Sequence, residues 1–133
     1  MSNSQSVGIA TSVVLRNYHR SLIEWGEECD RASEADPSRG LHEFGMAQAY
    51  FELLRHDHDG RSGIDVLRED ANPYVRAMAA VHSLLWASDD AVPVIKAIEQ
   101  TADAPERLKK TAEAFLDAWR ADALSVGVPW LHD

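Results

Sequence analysis

Apolar residues in this chain recur every three and four positions, and no segment alternates with period two over the length of a strand. The first spacing places side chains on one face of a helix; a half-buried strand needs the second. The sequence therefore predicts an all-α protein. From about residue 11 to 33, Leu15, Tyr18, Leu22, Trp25, Cys29 and Ala32 make one stripe, with Arg16, Arg20, Glu24, Glu27, Glu28 and Arg31 mostly elsewhere. Gly26 weakens that helix without breaking the stripe. Residues 1–10 are small and polar and are expected to fray.

Cap-and-proline pairs punctuate the rest of the chain. Asp36 and Pro37 read as an N-cap and first helical residue, opening a helix to about residue 55 that buries Leu41, Phe44, Ala47, Phe51 and Leu54. A short helix over 62–69 carries Ile64 and Leu67. Asn72 and Pro73 open PYVRAMAAVHSLLWA, whose apolar residues nearly encircle it: Val75, Met78, Ala79, Val81, Leu84, Leu85 and Trp86. A helix apolar all round is packed on several sides. Asp89 is expected to cap a further helix to about 101, with Val92, Ile95 and Ile98 inward and Pro93 in its first turn. The last helix starts near Asp103 and Pro105 and shows Leu108, Ala112, Phe115, Leu116 and Trp119 on one stripe. That makes about six helices in one compact domain over 11–123. An apolar tail, 124–133, is broken by Gly127 and Pro129.

An internal echo appears at an offset of 33 residues, where Val75, Ala79 and Trp86 correspond to Leu108, Ala112 and Trp119. A period of that size is typical of stacked helix pairs. Within it, Asp70, Asn72, Pro73, Val75, Arg76, Ala79, Ala80 and Leu84 form a pattern: an acidic, proline-containing turn, then Val-Arg, small residues and leucine. Small Ala79 and Ala80 allow close helix approach, while Val75 and Leu84 fill a core. This stretch resembles the HEAT-like repeat. A closer resemblance, over roughly 13–121, is to a small family of bacterial HEAT-like proteins known only as a domain of unknown function. It includes Gly60-Arg61 and the run Ala112, Leu116, Trp119. The resemblance implies a HEAT-like α-α superhelix in which Arg76 reaches an acidic or carbonyl group in an inter-helix turn. It implies no activity.

The formal charge is -9, from 13 basic and 22 acidic residues. Such a field repels phosphate backbones, and the arginines are spread rather than clustered, so no nucleic-acid partner is expected. One cysteine, Cys29, allows no intrachain disulfide, which suits a reducing cytoplasm. The start of the chain has neither a basic leader nor an uninterrupted apolar run, so neither a signal peptide nor a membrane association is expected.

The stretch LRHDHDGRSG offers His56, Asp57, His58 and Asp59 as ligands, and His56 and His58 are the metal candidates. Their spacing of two is wrong for a helical zinc pair. An EF-hand register fails too, since Arg55 or Arg61 and Val66 fall where oxygen ligands belong. The alternative is a helix C-terminus whose histidines sit near its carbonyls, followed by Gly60 at positive φ. His42-Glu43 begins like HExxH, but Met46 stands where the second histidine is needed. His82, on an apolar helix, reads as a core histidine rather than a base, and Cys29 as a packed thiol. Three tryptophans, Trp25, Trp86 and Trp119, belong to core stripes. Val128, Trp130 and Leu131 in the tail either fold back on the last helix or meet another chain, a second copy included.

No catalytic constellation and no cofactor motif emerges. The expectation is a non-enzymatic interaction module with a protein partner. Its alternatives are a bacterial immunity or antitoxin-like protein facing a basic toxin, and a HEAT-like enzyme such as an alkylated-base DNA glycosylase. The acidic charge disfavours the enzyme. For a small-molecule or bilin-binding module no pocket signature is visible.

Overall fold

The computed structural model describes residues 2–31, 40–102 and 104–123, with side chains from residue 10 onward. Among these residues stand five helices and no strand: α1 (Ser2–Arg31), α2 (Leu41–Leu54), α3 (His58–Leu67), α4 (Pro73–Gln100) and α5 (Glu106–Ala123). The fold class is all-α. None of these helices is long and apolar enough to cross a membrane. The chain divides into two compact units, Met1–Val66 and Leu67–Asp133.

In the first unit α1 begins at Ser2, well ahead of the expected residue 11. No proline precedes Pro37, and Gly8 alone costs a helix only about 1 kcal/mol, so nothing in the sequence stops the helix extending backwards. α1 and α2 pack together, burying Tyr18, Leu22 and Trp25 from one and Ala47, Phe51 and Leu54 from the other. The rings of Trp25 and Phe44 lie 5.4 Å apart at 54°, a tilted arrangement that suits their quadrupoles. α2 starts at Leu41 rather than 37 because Gly40 adopts φ 90, and a Cβ there would sit 3.1 Å from Trp25 Cδ1. Asp36, Pro37 and Ala32 lie outside the described residues. Leu41, expected inside, is 61% exposed; it lies about 120° round α2 from buried Ala47.

In the second unit α4 supplies most of the core. Val75, Ala77, Met78, Ala79, Ala80, Val81 and Leu84 are buried, as are Ile95 and Ile98 from its second half and Leu108, Ala112 and Leu116 of α5. The two helices expected at 73–87 and 89–101 form one element, interrupted at Ala87 (φ -144, ψ 49). Counted across this kink as one, the helices number five; on either side of it lie the two helical segments that were expected. Pro93 deprives the Asp89 carbonyl of a donor and crowds it, and the interruption falls two residues before Asp89. No glycine or proline lies between Trp86 and Asp90, and Ala87 alone departs from helical geometry, so the helix resumes at once. The encirclement of α4 is incomplete: Leu85 is exposed and Trp86 half-buried. Trp119 is half-buried too, leaving Trp25 as the one of those three that is buried. The positions paired by the 33-residue offset share their burial: Val75 and Leu108 are buried, Ala79 and Ala112 are buried, and Trp86 and Trp119 are half-buried.

Candidate functional site

The ligand-rich stretch turns out to be a helix junction. Asp57 is the N-cap of α3: its Oδ1 accepts from the Gly60 amide at 2.7 Å, and its carbonyl accepts from the Arg61 amide at 3.1 Å. Its Oδ2 accepts from Thr11 Oγ1 at 3.3 Å, tying the junction to α1. Both carboxylate oxygens are thus engaged in holding the fold. His58, Asp59 and Gly60 belong to the first turn of α3 rather than to a loop, so the helix starts four residues earlier than expected. Gly60 is helical, and positive φ belongs to Gly40. The reason for glycine at 60 is space. A Cβ there would overlap the Leu54 carbonyl oxygen and lie 2.8 Å from its carbon.

The end of α2 needs donors for its last carbonyls. Arg61 Nη1 supplies one, to the Arg55 carbonyl at 2.8 Å. The sequence alone assigns that task to His56 and His58, which are instead exposed. Among the described residues no group of three or more His, Cys, Asp or Glu is placed to hold a metal ion.

The repeat-signature residues build a second junction of the same kind. Asn72 caps α4, its Oδ1 accepting from the Tyr74 amide at 2.9 Å and the Val75 amide at 3.3 Å. Asp70 Oδ2 accepts from the Asn72 amide at 3.0 Å. Pro73 follows at the first helical position, where a missing donor is harmless. Arg76 Nη1 donates to the Asp70 carbonyl at 2.9 Å and to the Ala71 carbonyl at 3.4 Å. Val75, Ala79, Ala80 and Leu84 are buried.

The remaining candidates separate cleanly. His82 is 1% exposed, and burial lowers its imidazole from the ordinary 6.5 to about 3, so it is neutral and packed. Ser83 beside it donates to the Ala80 carbonyl at 3.1 Å. Cys29 is half-buried. Sequence reasoning missed one grouping: Asn17, Arg20, Ser21 and Glu24 of α1 meet His42, Glu43, Met46 and Tyr50 of α2 around an open groove of about 200 Å³. Its members come from two helices, so no local spacing signals it. With Arg20, Glu24 and His42 at the surface, the groove keeps its charges hydrated and suits polar surface contact better than proton transfer in a dry site.

The strongest surface feature is the outer side of α2. Ala47, Phe51 and Leu54 face the core, and on the opposite side Leu41, Gly45, Ala49 and Leu53 are all exposed at a spacing of four. Leu41 is 61% and Leu53 63% exposed, and Met46 flanks them. Beside Leu53 lies an apolar groove of about 190 Å³, lined by Ala10, Thr11, Val14, Leu53, Leu54 and Asp57. The tail residues Val128, Trp130 and Leu131 lie outside the described residues. Compared with protein-family models, with curated proteins and with solved structures, the chain shows no significant match.

Proposed function

We propose that this chain is a HEAT-like helical-repeat protein that works by binding another protein chain, and that its contact face is the outer side of α2. The observation that carries this reading is the unbroken exposed ridge Leu41, Gly45, Ala49, Leu53. A single exposed leucine is ordinary on a protein surface. A helix that is apolar on both sides, with one side uncovered, has the composition of a helix packed between neighbours. Burying a leucine is worth about 1.5–3 kcal/mol, so two exposed leucines supply a useful anchor for a partner helix.

The HEAT-like part of the reading is supported by the paired arginine junctions and by the matched burial across the 33-residue offset. Binding rather than catalysis is supported by how the reactive-looking groups are used. The Asp57 carboxylate, the Arg61 and Arg76 guanidiniums and the His82 imidazole are each committed to the fold. A single half-buried cysteine suits a reducing compartment such as the cytoplasm. The test is affinity purification under mild conditions of the wild type and of Leu53→Glu, whose helicity is checked by circular dichroism. The wild type should carry a stoichiometric protein chain, another or its own, that the variant loses. Equal recovery by both would remove α2 from the contact.

A further inference from the structure

The outer face of α2 points to one occupant, and we infer that it is α2 of a second copy of this chain, crossing antiparallel about a two-fold axis at Gly45 and Ala49. This deepens the proposed contact face and rests on it. In an isologous contact, one patch must complement itself: whatever residue i meets, that residue's counterpart meets i. The α2 ridge has this property. Leu41 and Leu53 share the midpoint Ala47, and so do Gly45 and Ala49. Reversing the helix about that point sets leucine on leucine and small residue on small residue. Gly45 has nothing within 4 Å of where its Cβ would be, so a backbone can approach there. Ridges built on every fourth residue are those that cross in the commonest class of helix packing.

A second feature fits the same axis. The apolar groove lined by Ala10, Val14, Leu53 and Leu54 lies at one end of the ridge, and the exposed knob Leu41 lies at the other. Knob and groove are therefore placed so that antiparallel crossing brings each copy's Leu41 to the other's groove, making two identical insertions that extend the contact onto α1. Charge separates this occupant from a basic partner. The ridge carries no charge while each chain carries -9, so two copies repel at long range and screening by salt should tighten their association. A contact with a basic protein would loosen.

Sedimentation equilibrium of the full chain at about 1–100 μM, a range matched to weak-to-moderate affinity, tests the assignment. A dimer is expected, with about tenfold or greater weakening in Ala49→Glu and in Leu41→Glu. It should stay intact in Val66→Glu, exposed on α3, and after removal of residues 124–133. In a Cys29→Ser background, Leu41→Cys mixed with Leu53→Cys should form a mixed disulfide that neither gives alone. A monomer throughout, loss of the dimer on removing the tail, or tighter self-disulfides than mixed ones would each overturn the second-copy assignment. If the wild type is monomeric yet Ala49→Glu abolishes capture of a different chain, the α2 contact face stands and only the second copy fails. A dimer that survives both glutamates removes the face as well.

Discussion

At the start of α3 an aspartate caps, a glycine takes the third helical position and an arginine the fourth; at the start of α4 an asparagine caps, a valine takes the third and an arginine again the fourth. Each arginine reaches back six residues to a carbonyl left at the end of the preceding segment, Arg61 to Arg55 and Arg76 to Asp70. The cap and the arginine recur because they serve backbone groups, which are the same at every helix end. The third position differs because it reports how close the preceding backbone comes. Three residues join α2 to α3 and five join α3 to α4. The shorter connection brings the Leu54 carbonyl into the space a side chain would use, whereas the longer one leaves room for Val75 to be buried.

Exchanging those third positions should therefore produce the largest effect. Gly60→Val puts a branched side chain into a backbone carbonyl that cannot swing aside, and should cost about 3 kcal/mol or more. Val75→Gly loses a buried side chain and adds helix entropy, for about 3 kcal/mol. Urea unfolding midpoints at constant slope would measure both. A Gly60→Val protein within about 0.5 kcal/mol of wild type would show that the two connections are not sterically different.

The two units should also differ in their response to pH. His82, buried in the second, has its imidazole lowered from 6.5 to about 3. Below 6.5 the unfolded chain binds a proton that the folded one refuses, so stability is whole above pH 6.5 and falls as pH drops towards 3. The slope is at most about 1.4 kcal/mol per pH unit from this group. Tyr18, buried in the first, has its phenol raised well above 10. Its contribution is whole below pH 10 and is lost as pH rises beyond it. Hydrogen exchange resolved by residue should show α4 protection declining in acid with a slope that His82→Met removes. An unchanged acid slope in that variant would shift the cause to the carboxylates.

How much of this was legible depended on the range of the interaction that decides each feature. The all-helical class, the Asn72–Pro73 start and the core positions Val75, Ala79, Leu108 and Ala112 come from spacing within one helix, and spacing is written in the sequence. Gly60 and Arg61 were visible as residues but not as parts. A glycine demanded by an approaching carbonyl looks, in sequence, like a glycine demanded by positive φ. Leu41 and Leu53 were obscured for a related reason: α2 is apolar on both sides, and periodicity cannot say which side is covered. The groove joining Arg20 and Glu24 to His42 and Glu43 depends on how α1 meets α2. No local pattern contains that information.

The smallest expected effects come from the arginines themselves, and they test whether the two junctions share one device. Arg76 donates to two carbonyls and Arg61 to one. A hydrogen bond from a charged donor is worth about 1.5–3 kcal/mol when buried, less where water competes. Both arginines are half-buried, so Arg61→Met should cost about 1 kcal/mol and Arg76→Met slightly more. Lysine should restore little in either place, because one ammonium on a shorter stem lacks the guanidinium's reach and fork. The double variant should show simple addition, since each arginine serves a different helix end. A loss confined to Arg76→Met would mean that Asp57 and the close packing at Gly60 hold the first junction without its arginine, and the resemblance between the two starts would then be one of sequence alone.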